Sequence, residues 1–577
     1  MRTFSTPEQA AYRYRVAGPL LRGLAFLIDV VVVLALCFVA VLCSLLVGSL
    51  ADIQGLGWGF ALVTIFLLLW VAGAVVEWRW RGRTPGKKML GLRTIGIDGL
   101  PPGLAAAVLR TLLRFADALP TVAMALGTML WSRDFRRLGD LAAGTLVVHD
   151  NDALADRKIE IKLTKAEKAL AEDLPAEVGV LVDPPALRAI AGYLARRAGF
   201  PVARRVELAG HLATPLIRLL GLPANTDPDA LLAAIHLRLT RSADDRALAR
   251  GAAFLGRRQG DWRELESLAD GKQPGSKVKE PRALAFARLY RAACADLALA
   301  EGLHLPHRVV DRLDHLVGRA HLAFHPPESL GWSRIRRILF IEVPGRLYGD
   351  ACLRAAFLAF FGTFVLCLLL ASLRPGSAEA ILGPGFVDQL RDMYSSHPSK
   401  RTADEAAMMH GFYVFHNVGI ALSCFAAGIF AGIGSLIFLA FNGVVLGLAF
   451  GAMMMVDDAT RANFFEFVTA HGPFELTGIA LAGAAGLRLG LGLVDTRGLP
   501  RLDGLRAAAI RAVPIIAVAA TSVALAAPIE AWLSPSALPL AAKQMVSVTC
   551  GLLLVAYLVI QGSWAKRQLD REESHAP

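Results

Sequence analysis

The chain has 577 residues, 55% of them hydrophobic, with a mean hydropathy of +0.48 and a formal net charge of +12. That length is too great for one ordinary domain, and that hydropathy excludes a purely soluble globular protein. The basic excess gathers at the ends of apolar runs, which implies an oriented membrane protein with the lipid bilayer as its solvent and no nucleic-acid partner.

Met1 to Gly23 does not read as a cleavable signal peptide, because the apolar run after it is too long and no small-residue cleavage site follows. The first two predicted spans are 24–49 and 58–76. Arg2, Arg13, Arg15 and Arg22 precede the first, the basic stretch EWRWRGRTPGKKMLGLR follows the second, and the short loop between them carries only Asp52. Positive-inside logic puts both ends of this hairpin in the cytoplasm. Arg22 and Asp29 lie two helical turns apart, about 10 Å of rise, so they cannot touch and each needs another partner. Arg22 can snorkel to the inner headgroups. For Asp29 the candidates are the basic residues of 79–88, or Arg110 and Arg114. RGRTPGKK lacks the spacing and the final Ser or Thr of a phosphate loop, so Pro85-Gly86 reads as a cytoplasmic turn. The stretch 104–131 is apolar but interrupted by Arg110, Arg114 and Asp117, which suits an interfacial or re-entrant helix, with a full span as the alternative.

Charged residues crowd into 151–350, where the apolar spacing is helical, as in ALRAIAGYLARRAGF and LAFARLYRAACADLALA. This reads as a cytoplasmic α-helical middle, with breaks at 184–185, 222–228 and 274–281 and a flexible loop at GKQPGSKVKEP. His304, His307, His315, His321 and His325 crowd together, yet only His321 and His325 sit at i, i+4. No HExxH occurs, so solvated helix faces are expected there and not a metal site. WSRIRRILFIEVPGRL, just before the next span, is basic and amphipathic and suits the inner leaflet surface.

Six further spans are predicted at 351–373, 412–432, 434–456, 474–492, 512–533 and 546–562, for about eight transmembrane helices in all and both termini inside. Gly428, Gly432, Gly443 and Gly447 fall at small-xxx-small spacing, which in lipid permits close helix packing and also suits a homodimer. The AGIGS turn closes spans 412–432 and 434–456 into a hairpin. Asn442, inside a span, should hydrogen-bond across helices. His471 and Glu475 bracket the start of the fourth of these spans. They suit either a capped helix start with Pro473 in its first turn or a polar site with His416, Asn417 and Asn442 as neighbours. Arg488 lies near the inner end and can snorkel. The seven cysteines form no CxxC pair and read as buried thiols. Without a GxSxG, HExxH or zinc set, neither an enzyme nor a cofactor is expected.

Two resemblances organise these elements. RGLAFLID, RGRTPGKKMLGLRTIGIDG, VLRTLLR and RRLGDLAAGTLVV together resemble the RDD family of small bacterial membrane modules over residues 12–150. Arg22, Asp29 and Asp140 fall on the arginine and the two aspartates that name that family. The resemblance implies little chemistry beyond transport of an unidentified ligand, or ion exchange. From about residue 250 to 565 the chain resembles the stage II sporulation protein M family, in FLGRRQGDWRELESL, in FHNVGIALSCFAAGIFAGIGSLIFLAFNGVVLGLAFG and in HGPFELTGIALAGAAGLRLG. That resemblance implies a membrane anchor for envelope proteins that remodel peptidoglycan.

The expectation is therefore an all-α, polytopic protein of the bacterial inner membrane. Its divisions are an RDD-like module at 12–150, a cytoplasmic helical linker domain at 151–249, the cytoplasmic helical part of the sporulation-M-like module at 250–350 and its six-helix membrane part at 351–565. Two functions compete: a scaffold for envelope-associated proteins, and a transporter or ion exchanger that uses the buried Arg, Asp, His and Glu residues.

Overall fold

The computed structural model describes residues 2–5, 11–118, 123–149, 164–175, 178, 182, 184–194, 196–269, 282–302, 305, 307–324, 331–396 and 401–574. The chain divides into two compact units, Met1–Arg15 with Asp150–Pro326, and Val16–His149 with Pro327–Pro577.

The first unit is helical, with one short antiparallel ribbon that pairs Arg2–Ser5 with Ala11–Tyr14. Its helices include Lys165–Asp173, Val202–Leu219, Pro228–Ala269, Arg282–Gly302 and His307–Phe324. Thr164 opens the first by accepting from Glu167 N, while Glu167 accepts from Thr164 N in return. Leu231, Leu232 and Ile235 anchor one core with Ile190 and Ala213. Asp296 is buried and is held by Trp262 Nε1 at 2.7 Å and Arg258 Nε at 2.8 Å. His321 is also buried and shares a 2.8 Å hydrogen bond with the Tyr290 hydroxyl, a packing role. His304, His325, the His307 side chain and the loop 271–281 lie outside the described residues and side chains.

Among the described residues, the second unit holds seven helices long and apolar enough to cross a membrane: Pro19–Ala51, Gln54–Arg79, Ala351–Leu373, Ile433–Met453, Gly472–Leu491, Arg501–Leu533 and Leu540–Glu572. Each contains or matches a predicted span. The remaining expected span, 412–432, is replaced by a continuous helix over 403–427. It starts earlier because Thr402 and Glu405 form a reciprocal cap. It ends earlier because the chain turns back at Ala431 and Gly432, whose φ values are 52° and 83°.

Two features depart from the sequence reading. RTIG and TLVV, read within an all-α module, form an antiparallel ribbon of Leu92–Gly96 and Thr145–His149, with Thr94 opposite Val147. Strands so short carry too little alternation to stand out against neighbouring helices. The stretch 104–131 is not one interfacial helix. It breaks into Leu104–Leu112, Arg114–Asp117 and Ala123–Trp131, and Leu109, Leu112, Leu113 and Ala116 join a protein core. That core is shared: the same cluster contains Phe425, Leu439, Ile515 and Ile516 from the C-terminal helices, and Phe115 meets Phe438 edge-on at 6.1 Å.

Glycines set how closely the helices approach. A Cβ on Gly443 would lie 2.4 Å from the Phe360 carbonyl oxygen, and one on Gly447 would lie 2.3 Å from that of Phe364. A Cβ on Gly428 would meet the Gly486 backbone at 2.1 Å. The predicted packing stripe is thus spent within the chain, joining helix 433–453 to 351–373 and helix 403–427 to 472–491. In a medium without a hydrophobic force between helices, such backbone contact supplies the attraction. Gly447→Leu should destabilise the protein by about 1–3 kcal/mol, read as earlier loss of the monodisperse peak when detergent-purified protein is heated. Gly419→Ala, where nothing lies within 4 Å, should leave that profile unchanged.

Candidate functional site

Two polar clusters are built into the second unit. The first joins the N-terminal hairpin to the segments after it. Arg22 is buried on helix 19–51, where it donates to the Phe135 carbonyl and pairs with Asp140. It therefore does not snorkel to headgroups, because helix 138–143 brings a carboxylate to it. Asp140, fully buried, accepts from Arg137 N at 3.0 Å as a helix cap and pairs with Arg110 as well. Arg110 in turn places Nε 3.2 Å from both oxygens of Glu77, and its Nη1 donates to the Thr145 hydroxyl at 2.9 Å. Glu77 also takes the Lys87 ammonium and the Thr94 hydroxyl, the latter at 2.6 Å. Arg137 and Asp117 flank this chain of charges 3.6 Å apart. Burial pulls the Lys87 ammonium down to about 7, against the pull of Glu77.

Asp29 stands beside this network and pairs with no cation among the described residues. It accepts from the Thr84 hydroxyl at 2.6 Å and from Gly86 N at 2.7 Å. The expected basic partners are displaced because Pro85–Met89 forms a short helix whose start points at helix 19–51. Gly86 makes this approach feasible, since a Cβ there would lie 2.0 Å from the Ala25 carbonyl oxygen. Lys87 then turns inward to Glu77.

The second cluster gathers residues from three helices. His471 immediately precedes helix 472–491, with Glu475 one turn on. Glu530 comes from helix 501–533 and Asn417 from helix 403–427. Asn417 and Glu530 both lie on wide-turn π-helical stretches, Val414–Val418 and Ile529–Leu533, a local distortion common where a side chain has been re-aimed. Asn417 Nδ2 donates to Glu530 Oε2 at 3.1 Å. His471 Nδ1 shares a 2.9 Å hydrogen bond with Ser534 Oγ, and its Nε2 faces Glu475 at 3.8 Å and Glu530 at 4.0 Å. Nearby, Lys543 is fully buried and is satisfied by Glu466 at 2.7 Å and by the carbonyls of Ser534 and Ser536, each at 2.8 Å.

The structure thus brings Asn417, His471 and Glu475 together and separates the other expected neighbours. His416 is exposed and stacks on Phe412 with ring centroids 5.4 Å apart. Asn442 does not bond across helices: its amide donates to the Phe438 carbonyl one turn back at 2.8 Å, which its own helix supplies more cheaply than a neighbour could. Arg488 does not snorkel but pairs with Asp350 at 2.6 Å. Glu77 and Glu530 were missed by the sequence reading. Each had a signal: Glu77 is the lone acid of a basic stretch, and Glu530 is an acid inside a predicted span.

Glu77→Gln should leave Lys87 and Arg110 buried against an uncharged amide. We expect a loss of about 3–5 kcal/mol, seen as poor folded yield and a lowered melting temperature in detergent. Asp29→Asn, which keeps one acceptor for the Gly86 N–H, should cost less.

Comparison with family models matches residues 16–144 to the RDD family, 252–326 to a domain of unknown function (DUF8413) and 355–535 to stage II sporulation protein M. The sporulation-M match is confined to the membrane part, whereas the helical stretch that precedes it matches a separate domain. No curated protein and no solved structure matches the chain. The Arg22, Asp29 and Asp140 positions lie inside the first match, and Asn417, His471, Glu475 and Glu530 inside the last. This multi-pass membrane protein therefore carries a segment that matches the RDD family model followed by one that matches the stage II sporulation protein M model, in that order along one chain.

Proposed function

We propose that the chain is an inner-membrane scaffold in which the RDD-type and sporulation-M-type segments act as one body to hold envelope-associated proteins together. The observation that carries this reading is the contact between helices 54–79 and 403–427. Asp404, from the C-terminal segment, accepts from Gly55 N at 2.6 Å and Leu56 N at 2.8 Å, so it caps a helix of the N-terminal one. Further along, a Cβ on Gly411 would lie 2.3 Å from the Gly59 carbonyl oxygen. The shared apolar core extends this contact. Such permanent docking suits a platform that presents a fixed arrangement of surfaces. With the helix over 403–427 counted as an eighth crossing, about 37 Å long at 1.5 Å per residue, the number of crossings is even. The basic flanks then favour both termini on the cytoplasmic side.

A transporter or ion exchanger is the second reading, and the His471–Glu475–Glu530–Asn417 cluster favours it, since ionisable groups inside a membrane often mark ion paths.

One set of experiments separates the two. Residues 1–160 and 161–577, produced as two polypeptides, should co-purify in detergent and should come apart with Gly59→Leu. In the native membrane, crosslinking should recover a defined partner in stoichiometric amount, lost with the same substitution. Liposomes carrying the intact chain should hold pH and ion gradients as well as empty ones. Gradient loss that Asp29→Asn or Glu475→Gln abolishes would overturn the scaffold reading in favour of transport. A reporter fused to the C-terminus should be active only in the cytoplasm; activity on the outside would reverse the orientation.

A further inference from the structure

We propose that His471, Glu475 and Glu530 bind one divalent first-row transition-metal cation. One ligand atom from each residue lies within 4.8 Å of the others. His471 Nε2 is too far from either carboxylate to hydrogen-bond, at 3.8 and 4.0 Å. Ligands on a tetrahedral cation with bonds of about 2.0–2.1 Å stand about 3.4 Å apart, so small side-chain rotations would complete the site.

The surroundings orient each ligand. His471 Nδ1 is engaged by Ser534 Oγ at 2.9 Å; with the proton on Nδ1, Nε2 carries the lone pair and stands 3.8 and 4.0 Å from the two carboxylates. Asn417 holds Oε2 of Glu530 at 3.1 Å, while Oε1 is the oxygen that faces His471. Outer partners of this kind fix tautomer and ring angle in metal sites. The charge count agrees. Among the described residues no Lys or Arg lies within 4.0 Å of either glutamate, and the nearby Arg401 is turned onto the Phe467 ring, 5.6 Å from its centroid. With both carboxylates ionised and the imidazole neutral, as metal ligation requires, a charge of +2 offsets them. One imidazole with two carboxylates suits Zn²⁺ or Mn²⁺, and the nitrogen donor disfavours Ca²⁺. His471 and Glu475 had suggested a helix cap or a polar site from sequence; Glu530, brought in from 55 residues downstream of Glu475, supplies the third ligand.

The test uses the full chain, tag removed, in detergent. After incubation with Zn²⁺ and gel filtration, elemental analysis should find one equivalent retained, and Mn²⁺ should compete while Ca²⁺ does not. Glu475→Gln and Glu530→Gln should each weaken Zn²⁺ binding by at least about tenfold, and Asn442→Ala should bind as the parent does. Zn²⁺ should raise the melting temperature of the parent and leave that of Glu475→Gln unmoved. Equal retention by the parent and both glutamine variants would assign the metal elsewhere and overturn the proposal, as would no retention of Zn²⁺ or Mn²⁺ by the parent. If a variant fails to elute as a single peak, the Co²⁺ absorption spectrum of the parent decides: visible d–d bands support the site, and their absence overturns it.

Discussion

A charge removed from water must be met by an opposite charge or a hydrogen-bonding group within the protein, and in this chain one carboxylate meets that demand for several elements at once. Asp140 caps its own short helix, pairs with Arg22 on the first membrane helix and pairs with Arg110 on the segment between. From Arg110 the chain of charges continues to Glu77 and Lys87. These contacts tie the first hairpin, the Pro85–Met89 turn, the Leu92–Gly96 ribbon and the broken helix after it into one body. Removing one member would strand its partner in a dry interior, which costs far more than an exposed pair contributes. The network therefore specifies a single arrangement of segments whose apolar faces alone would pack in several ways.

The C-terminal helices use the opposite device. They carry few charges, and close contact between backbones replaces side-chain pairing. Gly443 and Gly447 admit helix 351–373, Gly428 admits helix 472–491, and Gly59 with Gly411 carries the same kind of contact across to the N-terminal segment. Where polar groups do enter this region, one pair, Arg488 with Asp350, stands apart, and another group gathers around His471 and Glu530. Asn417 and Glu530 reach it from π-helical stretches, and Pro528, which cannot donate a backbone hydrogen bond, directly precedes the second of these.

Much of this was legible in the sequence because lipid imposes a simple rule on composition. Apolar runs between basic clusters located the seven long apolar helices, which extend up to eleven residues past the predicted bounds, and Arg22 with Asp29 stood out as charges that needed an explanation, whereas Asp140 entered through the family resemblance. Partners were harder to read. Arg22 and Asp140 are 118 positions apart, and no local pattern says which carboxylate a guanidinium will find. Asp29 misled for a related reason: its partners are a hydroxyl and a backbone N–H, and backbone donors carry no sequence signature. Asn442 lies on a face that sequence periodicity could not distinguish from an interior one. Glu530 was passed over because it sits at the end of a long apolar run, where an acid reads as a boundary marker.

The cap that Asp404 places on helix 54–79 bears on biogenesis. Gly55 and its acceptor are separated by 349 residues. At about 5–20 residues per second, the ribosome needs about 17–70 s to bridge that gap. Throughout that interval the newly inserted hairpin has its amide donors unmatched and a glycine face open to lipid. Each nascent chain thus presents this helix start and its glycine face before Asp404 and Gly411 have been made to close them.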